Sequence, residues 1–166
     1  MEKIVIIGCP GSGKSTLARK LGEKLSLPVV HLDRIWWCPG WVSISREEFD
    51  ERLSEELAKS QWIIDGNFNR TIPQRLAACD TVIYLDHSRL VCLWGMLKRV
   101  LTGKNKPRPD ITEGCPERLN WEFIAFIWDY NKSYRESNLA LLSQLENVDV
   151  HILKNRRQTA KFLKNL

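Results

Sequence analysis

Among the five cysteines of this 166-residue chain, at positions 9, 38, 79, 92 and 115, there is no C-x-x-C pair and no spacing that suits zinc. That excludes a zinc ribbon and a dithiol redox motif, and it reads as reduced thiols in a cytoplasm. Nothing approaches a membrane span either, since the longest apolar run, Leu90 to Leu97, is too short to cross a bilayer. Lys3 to Ile7 leads straight into a glycine-rich loop, so no secretory leader is expected. Linkers rich in Pro, Gly or Ser, internal repeats and low-complexity tracts are all missing, which points to one domain over residues 1–166. An N-K-x-D guanine-reading motif is missing too, because Asn105-Lys106-Pro107-Arg108 lacks the aspartate. That argues against a GTPase.

What is present is ordinary in bulk, at 43% hydrophobic and 27% charged residues, and specific at one place. Gly8-Cys9-Pro10-Gly11-Ser12-Gly13-Lys14-Ser15 has the phosphate-loop spacing G-x-x-x-x-G-K-S. Before it, Lys3 to Ile7 reads as a buried strand. After it, Leu17, Ala18, Leu21 and Leu25 recur at helical spacing. Strand, glycine loop and helix together let successive N–H groups point at a β-phosphate at the positive end of the helix. Lys14 supplies a point charge, Ser15 a hydroxyl for Mg²⁺, and Thr16 a second donor to phosphate oxygens. The competing reading is a glycine turn that happens to carry a lysine, and the flanking strand and helix weigh against it. Cys9, inside the loop, is a candidate for oxidation or merely tolerated there.

Strand and helix signals then alternate to the end, the pattern of a parallel sheet covered on both faces. Strands are expected at Val29 to Leu32, Trp62 to Ile64, Thr81 to Leu85 and Val148 to Leu153. Ser45 and Glu48 form a capping-box pair ahead of the helix carrying Phe49, Leu53 and Leu57. A helix capped by Ser88 is expected to run to about Thr102, and another from Asn120 to about Glu146, broken near Asn131. Arg156 to Leu166 closes the chain as an amphipathic helix. Residues 104–118, polar, basic and interrupted by Pro107, Pro109 and Pro116, make a loop long enough to be functional.

Ligands of open α/β sheets sit beyond the carboxyl ends of the strands. Asp33 lies just past the second strand, Asp65 past the third and Asp86 past the fourth. Asp65 is the first choice to hold Mg²⁺ through water. Asp86 follows an equally apolar strand and also reads as a first-turn helix carboxylate. Asp33 reads either as a base or orienting group for a substrate hydroxyl, or as a turn aspartate bonding its own backbone. His31 reads as a packed strand histidine. Trp36, Trp37 and Trp41 either stack on a base and wall off water or cap the core, while Trp94, Trp121 and Trp128 fall on helical apolar faces and need no ligand. The net charge of +5 fits either a nucleic-acid surface or cations gathered around polyphosphate, and the scattered basic clusters favour the second.

Asp65-Gly66-Asn67-Phe68-Asn69-Arg70-Thr71-Ile72-Pro73-Gln74 resembles the D-G-F-P-R-T-I-P-Q stretch of adenylate kinases with one residue inserted. That resemblance implies an acceptor site in which Asp65, Asn67, Arg70 and Gln74 take part, Arg70 on an acceptor phosphate and Gln74 on an acceptor base. It implies a short lid over about 104–118, with Arg99 at its first hinge, Arg108, Arg118 and Arg135 reaching the transferred phosphoryl, and Arg156 in the loop bordering adenine. Gly95 departs from the adenylate kinase pattern, which has an arginine there. Further motifs span nearly the whole chain: H-L-D from His31, P-G-W from Pro39, I-I-D-G-N from Ile63, R-P-D from Arg108, G-C-P-E from Gly114 and W-E-F from Trp121. Together they resemble the bacterial DNA topology modulation proteins, themselves similar to adenylate kinases.

The expectation is therefore an α/β, three-layer P-loop NTPase fold with a parallel five-stranded sheet flanked by helices, adenylate-kinase-like with a short lid. ATP and Mg²⁺ are the expected cofactors, and a small acceptor, nucleotide or nucleoside-like, the expected partner. Lys14, Asp33, Arg99, Arg108 and Arg135 are the expected catalytic residues. Gly8, Pro10, Gly11, Ser12, Gly13, Lys14, Ser15, Thr16, Arg99 and Arg156 are expected on the nucleotide, and Ser15 and Asp65 on the metal. The alternative is an ATP-dependent switch acting on DNA with little turnover. The sequence leaves the acceptor and the oligomeric state open.

Overall fold

Every strand of the main sheet is parallel to its neighbours, and the most apolar ones lie at the centre. In a computed structural model that describes residues 1–102, 109–116 and 120–166, β1 (Lys3–Gly8) is flanked by β5 (Trp62–Asp65) and β6 (Thr81–Leu85). Outside them lie β2 (Val29–His31) and β7 (Asp149–Leu153), giving the order β2-β5-β1-β6-β7. The central strands read as unbroken Val/Ile runs because helices cover both faces, so alternation with polar residues has no use. Ile4 and Ile6 pack on one face with Leu17, Ala18 and Leu21 of α1 (Lys14–Leu25) and with Phe162 and Leu163 of α7 (Arg156–Asn165). Val5 and Ile7 pack on the other with Phe49, Leu53 and Leu57 of α3 (Arg46–Ala58) and Leu76 of α4 (Ile72–Ala78). A third cluster, Cys9, Cys92, Met96, Ile127 and Tyr130, joins the phosphate loop to α5 (Arg89–Thr102) and α6 (Trp121–Ser143).

Three regions differ from expectation. The second strand ends at His31, and Leu32 opens a short helix, α2 (Leu32–Trp36), followed by an antiparallel hairpin of β3 (Trp37–Cys38) and β4 (Val42–Ser43). A seven-residue helix, α4, follows β5 with Pro73 in its first turn; its period is hidden because Arg75 occupies a buried position. α6 runs through Asn131 without a break. The Asn131 amide donates to the His87 carbonyl at 3.4 Å instead of competing for the helix's own backbone.

The described part of the expected lid, 109–116, packs onto α2 and the hairpin. Gly40 N–H donates to the Gly114 carbonyl at 2.9 Å, and the Trp41 indole to the Pro116 carbonyl at 3.1 Å. Thr112 donates to the Arg34 carbonyl, and Ile111 and Cys115 are buried there. Residues 103–108 and 117–119, and with them the expected roles of Arg108 and Arg118, lie outside the described residues.

Candidate active site

The phosphate loop runs from the end of β1 into α1, and its shape depends on a close approach to α5. Gly11 has φ 79°, a left-handed conformation that a side chain disfavours, and a Cβ there would collide with the Cys92 carbonyl oxygen. A Cβ at Gly95 would in turn collide with the Gly11 carbonyl oxygen. Glycine facing glycine is what lets the loop lie on this helix. Lys14 Nζ donates to the carbonyls of Gly8 at 2.8 Å and Cys9 at 3.2 Å, curling the loop and leaving one of its three N–H groups for a ligand. Ser12 is buried, its N–H bonded to the Cys9 carbonyl, and its hydroxyl has no partner among the described residues. A buried hydroxyl without a partner, inside a ring of N–H groups at a helix start, is the feature expected where phosphate oxygens bind.

Carboxylates converge on this cation. Burial pushes the Lys14 ammonium's pKa down, while the charges of Asp65 and Asp33 push it back up. Asp65 ends β5 with its carboxylate buried and paired to His31 Nδ1, the two residues standing opposite each other in the β2–β5 register. His31 is thus a packed strand histidine with a specific partner. Asp33 sits in the first turn of α2, half-buried. Ser15 is in the first turn of α1, so hydroxyl and carboxylate oxygens, the hard donors that Mg²⁺ takes, are at hand in Ser15 and Asp65. Among the described residues no group of three or more His, Cys, Asp or Glu forms a protein-only metal cage. A phosphate-bridging ion needs none.

Asp86 is committed elsewhere: Arg135 Nε and its terminal nitrogen reach the two Asp86 oxygens at 2.8 and 2.9 Å. Arg135 therefore anchors α6 to the end of β6. Arg70 is likewise engaged, donating to both Asp50 oxygens on α3, which holds the Asp50 carboxyl below its usual pKa and raises Arg70. Gln74 also faces α3, with its amide 3.4 Å from the Ser54 hydroxyl. Asn67 bridges inward, its Oδ1 accepting from the Gly8 N–H at 3.3 Å. Between α2, α3 and the 3-10 turn Asn69–Thr71 lies a cavity of about 110 Å³ walled by the rings of Trp36, Phe49 and Phe68, with Arg46 and Arg70 beside them. Trp36 lies edge-on to Phe49 and Phe68 at the fringe of the core and lines this cavity.

Two residues of this region were not legible beforehand. Arg75, fully buried, donates to the carbonyls of Thr71, Gly66, Asn67 and Phe68, so one side chain holds the whole β5–α4 loop. Burial pushes its pKa down to about 10, which leaves it charged at neutral pH. His87 lies buried beneath the phosphate loop against Thr159, where burial and then Arg156 hold its pKa below the usual value. Arg156, exposed at the start of α7, brings its guanidinium within 3.3 Å of where a Gly95 Cβ would stand. Arg99 lies half-buried near the end of α5. The hydrogen bond to Cys92, then burial, push the Cys9 thiol's pKa up, so it stays protonated.

No protein-family model matches the chain. It is 28% identical over 109 residues to the adenylate kinase of Thermotoga neapolitana, covering 64% of this chain and 49% of that protein. With the adenylate kinase of Mycolicibacterium paratuberculosis it shares 31% over 97 residues, 45% of this chain and 52% of the relative. The chain spans about half the length of the curated relatives it matches. In structure it is similar to a shikimate kinase from Acinetobacter baumannii in complex with shikimate, with TM-score 0.61, 18% identity, and 99% and 90% of the two chains covered. A shikimate kinase from Bacteroides thetaiotaomicron gives TM-score 0.56 and 18% identity over 98% and 94%. The chain has the three-layer α/β fold of small P-loop kinases. The likeness to DNA topology modulation proteins rests on its motifs alone.

Proposed function

We propose that the protein is a P-loop phosphotransferase that moves the γ-phosphoryl of Mg·ATP to a hydroxyl on a small, nucleoside-like acceptor. The observation that carries this reading is the convergence of Lys14, Asp33 and Asp65 at the ends of β1, β2 and β5. Lys14 neutralises phosphate charge, and the loop N–H groups hold the phosphates in place, which is most of what phosphoryl transfer asks of a protein. Ser15 and Asp65 would hold Mg²⁺, Asp65 through water; bound there, the ion would supply charge neutralisation between phosphate oxygens. Arg156 and Arg99 border the nucleotide side.

Two acceptor chemistries were open, a phosphate recognised by Arg70 and a hydroxyl deprotonated by Asp33. The closed Arg70–Asp50 pair favours the hydroxyl, because a guanidinium already bonded to a carboxylate through two nitrogens offers little to a second anion. Asp33 then accepts the hydroxyl proton, and the rings of Trp36, Phe49 and Phe68 offer a wall for a flat, apolar acceptor face. An ATP switch without an acceptor has no evident need of that wall or of Asp33. Five free cysteines agree with a reducing compartment, and among the described residues no helix is long and apolar enough to cross a membrane. The test is transfer of label from γ-labelled ATP to a panel of nucleosides, nucleoside monophosphates and small hydroxy acids. Transfer to a hydroxyl acceptor supports the reading, and ATP binding without transfer to any member counts against it.

A further inference from the structure

Among the described residues, a run of exposed apolar side chains lies on the α5–α6 pair. Leu90, Trp94, Leu97 and Leu101 of α5 are exposed by 66, 59, 37 and 65%, and Trp121 and Trp128 of α6 by 77 and 44%. Sequence reading placed the tryptophans on apolar helix faces, and the structure leaves those faces uncovered by the described residues. On α5 the spacing is i, i+4, i+7, i+11, the heptad seam of a helix that packs against another helix. Between the two helices runs an apolar groove of about 420 Å³, with Leu93, Met96 and Ile124 along its floor. Singly exposed leucines need no explanation, but a contiguous patch of this size does.

We propose that the chain is a two-fold dimer in which α5 of each copy lies in the α5–α6 groove of the other. The groove requires a helix with large apolar groups at heptad spacing and no charge in the seam. α5, which forms one wall of the groove, is such a helix, so a two-fold axis beside it satisfies both copies at once. The area is sufficient: at ~200 Å² for each large side chain, the six exposed residues present roughly 700 Å². That exceeds the ~300–600 Å² of the largest patch on a typical monomer and approaches the ~800 Å² each partner buries in a stable complex. Charge agrees. α5 carries Arg89, Lys98 and Arg99 and no carboxylate, whereas α6 carries Glu122 and Asp129 ahead of Lys132 and Arg135, so α5 laid across the first part of its mate's α6 meets opposite charge. The Arg89 guanidinium, 4.0 Å from the centre of the Trp128 ring, sits at the rim of the seam and leaves its middle apolar.

Sedimentation equilibrium of the full chain over a wide concentration range tests this. The wild type should sediment with twice the mass of the 166-residue chain. Trp94→Glu and, separately, Trp121→Glu should sediment as monomers with unchanged far-ultraviolet dichroism and ATP affinity. Should the glutamate variants misfold, Leu90→Ala with Leu101→Ala removes apolar area without adding charge and should raise the dimer dissociation constant by about tenfold or more. A wild type that is monomeric throughout overturns the proposal, as does a dimer that all these variants leave intact. So does a wild-type monomer whose tryptophan emission shifts to the blue on phosphatidylcholine vesicles, since that would assign the face to lipid.

Discussion

Arg70 and Asp50 face each other across the gap between the 3-10 turn after β5 and α3, joined by two hydrogen bonds of 2.8 and 2.7 Å. The pair lies beside the cavity that Arg70 lines together with Trp36, Phe49 and Phe68. It therefore bears on what the cavity admits more than on how firmly the chain folds.

Asp50→Asn should separate those two effects. Both partners are exposed, so the midpoint of thermal unfolding should stay within about 3 °C of the parent. Released from its carboxylate, Arg70 should bind a nucleoside monophosphate at least several-fold more tightly, as calorimetry would read. A parent that already binds the monophosphate as tightly as the variant would show that the pair does not occupy Arg70.

Arg75→Met tests the buried arginine. Methionine keeps much of the volume but leaves the carbonyls of Gly66, Asn67, Phe68 and Thr71 without their donor. At about 1–3 kcal/mol for each buried group left unsatisfied, and with some of them relaxing toward water, a loss of about 3 kcal/mol is expected in urea unfolding. A loss under about 1 kcal/mol would mean that the loop holds itself.

Gly95→Ala gives a result opposite in sign to helix propensity. Within a helix this exchange ordinarily stabilises by up to about 1 kcal/mol. Here the added methyl meets the Gly11 carbonyl oxygen. The variant should be less stable than the parent and should bind ATP about tenfold more weakly or worse, with overpacking of this kind costing about 1–3 kcal/mol. A more stable variant with parental ATP affinity would show that the loop and α5 are not in contact.

His87 gives a pH dependence whose sign follows from its burial. Its pKa in the folded chain lies below the unfolded value of 6.5, so the unfolded chain binds more protons as acid is added. This contribution to stability is fully present above about pH 6.5 and declines as the pH falls below it. Carboxylates also titrate at lower pH, so the comparison is with His87→Gln. Between about pH 6.5 and 5 the parent should lose stability more steeply than the variant, and parallel curves would contradict the assignment.

The sheet was legible because its three inner strands are short apolar runs that end in or lead into Gly or Asp, and β6 falls at Thr81–Leu85. The phosphate loop was legible because its spacing is local. Less legible was whatever depends on a partner far along the chain. Asp86 and Asp65 look alike as carboxylates after apolar strands, and their partners distinguish them: His31 for Asp65, and Arg135, 49 residues away, for Asp86. Arg70 reads as an acceptor cation until Asp50 on α3 is seen opposite it. Arg75 breaks the apolar period of α4 because its partners are backbone carbonyls, which leave no mark in a hydrophobicity pattern. Gly95 showed in the sequence as a departure from adenylate kinases; that it receives the phosphate loop needed the fold.

The claim on which the rest depends is that Asp33 serves an acceptor hydroxyl beside a phosphate site built on Lys14. The most direct measurement is phosphoryl transfer from γ-labelled ATP by Asp33→Asn, paired with ATP affinity by calorimetry, using the best acceptor of the parent. Loss of a positioned base should cut transfer by about a hundredfold or more while ATP affinity stays within a few-fold of the parent. Undiminished transfer by Asp33→Asn, or a parent that binds ATP and transfers to no hydroxyl acceptor, would contradict the account.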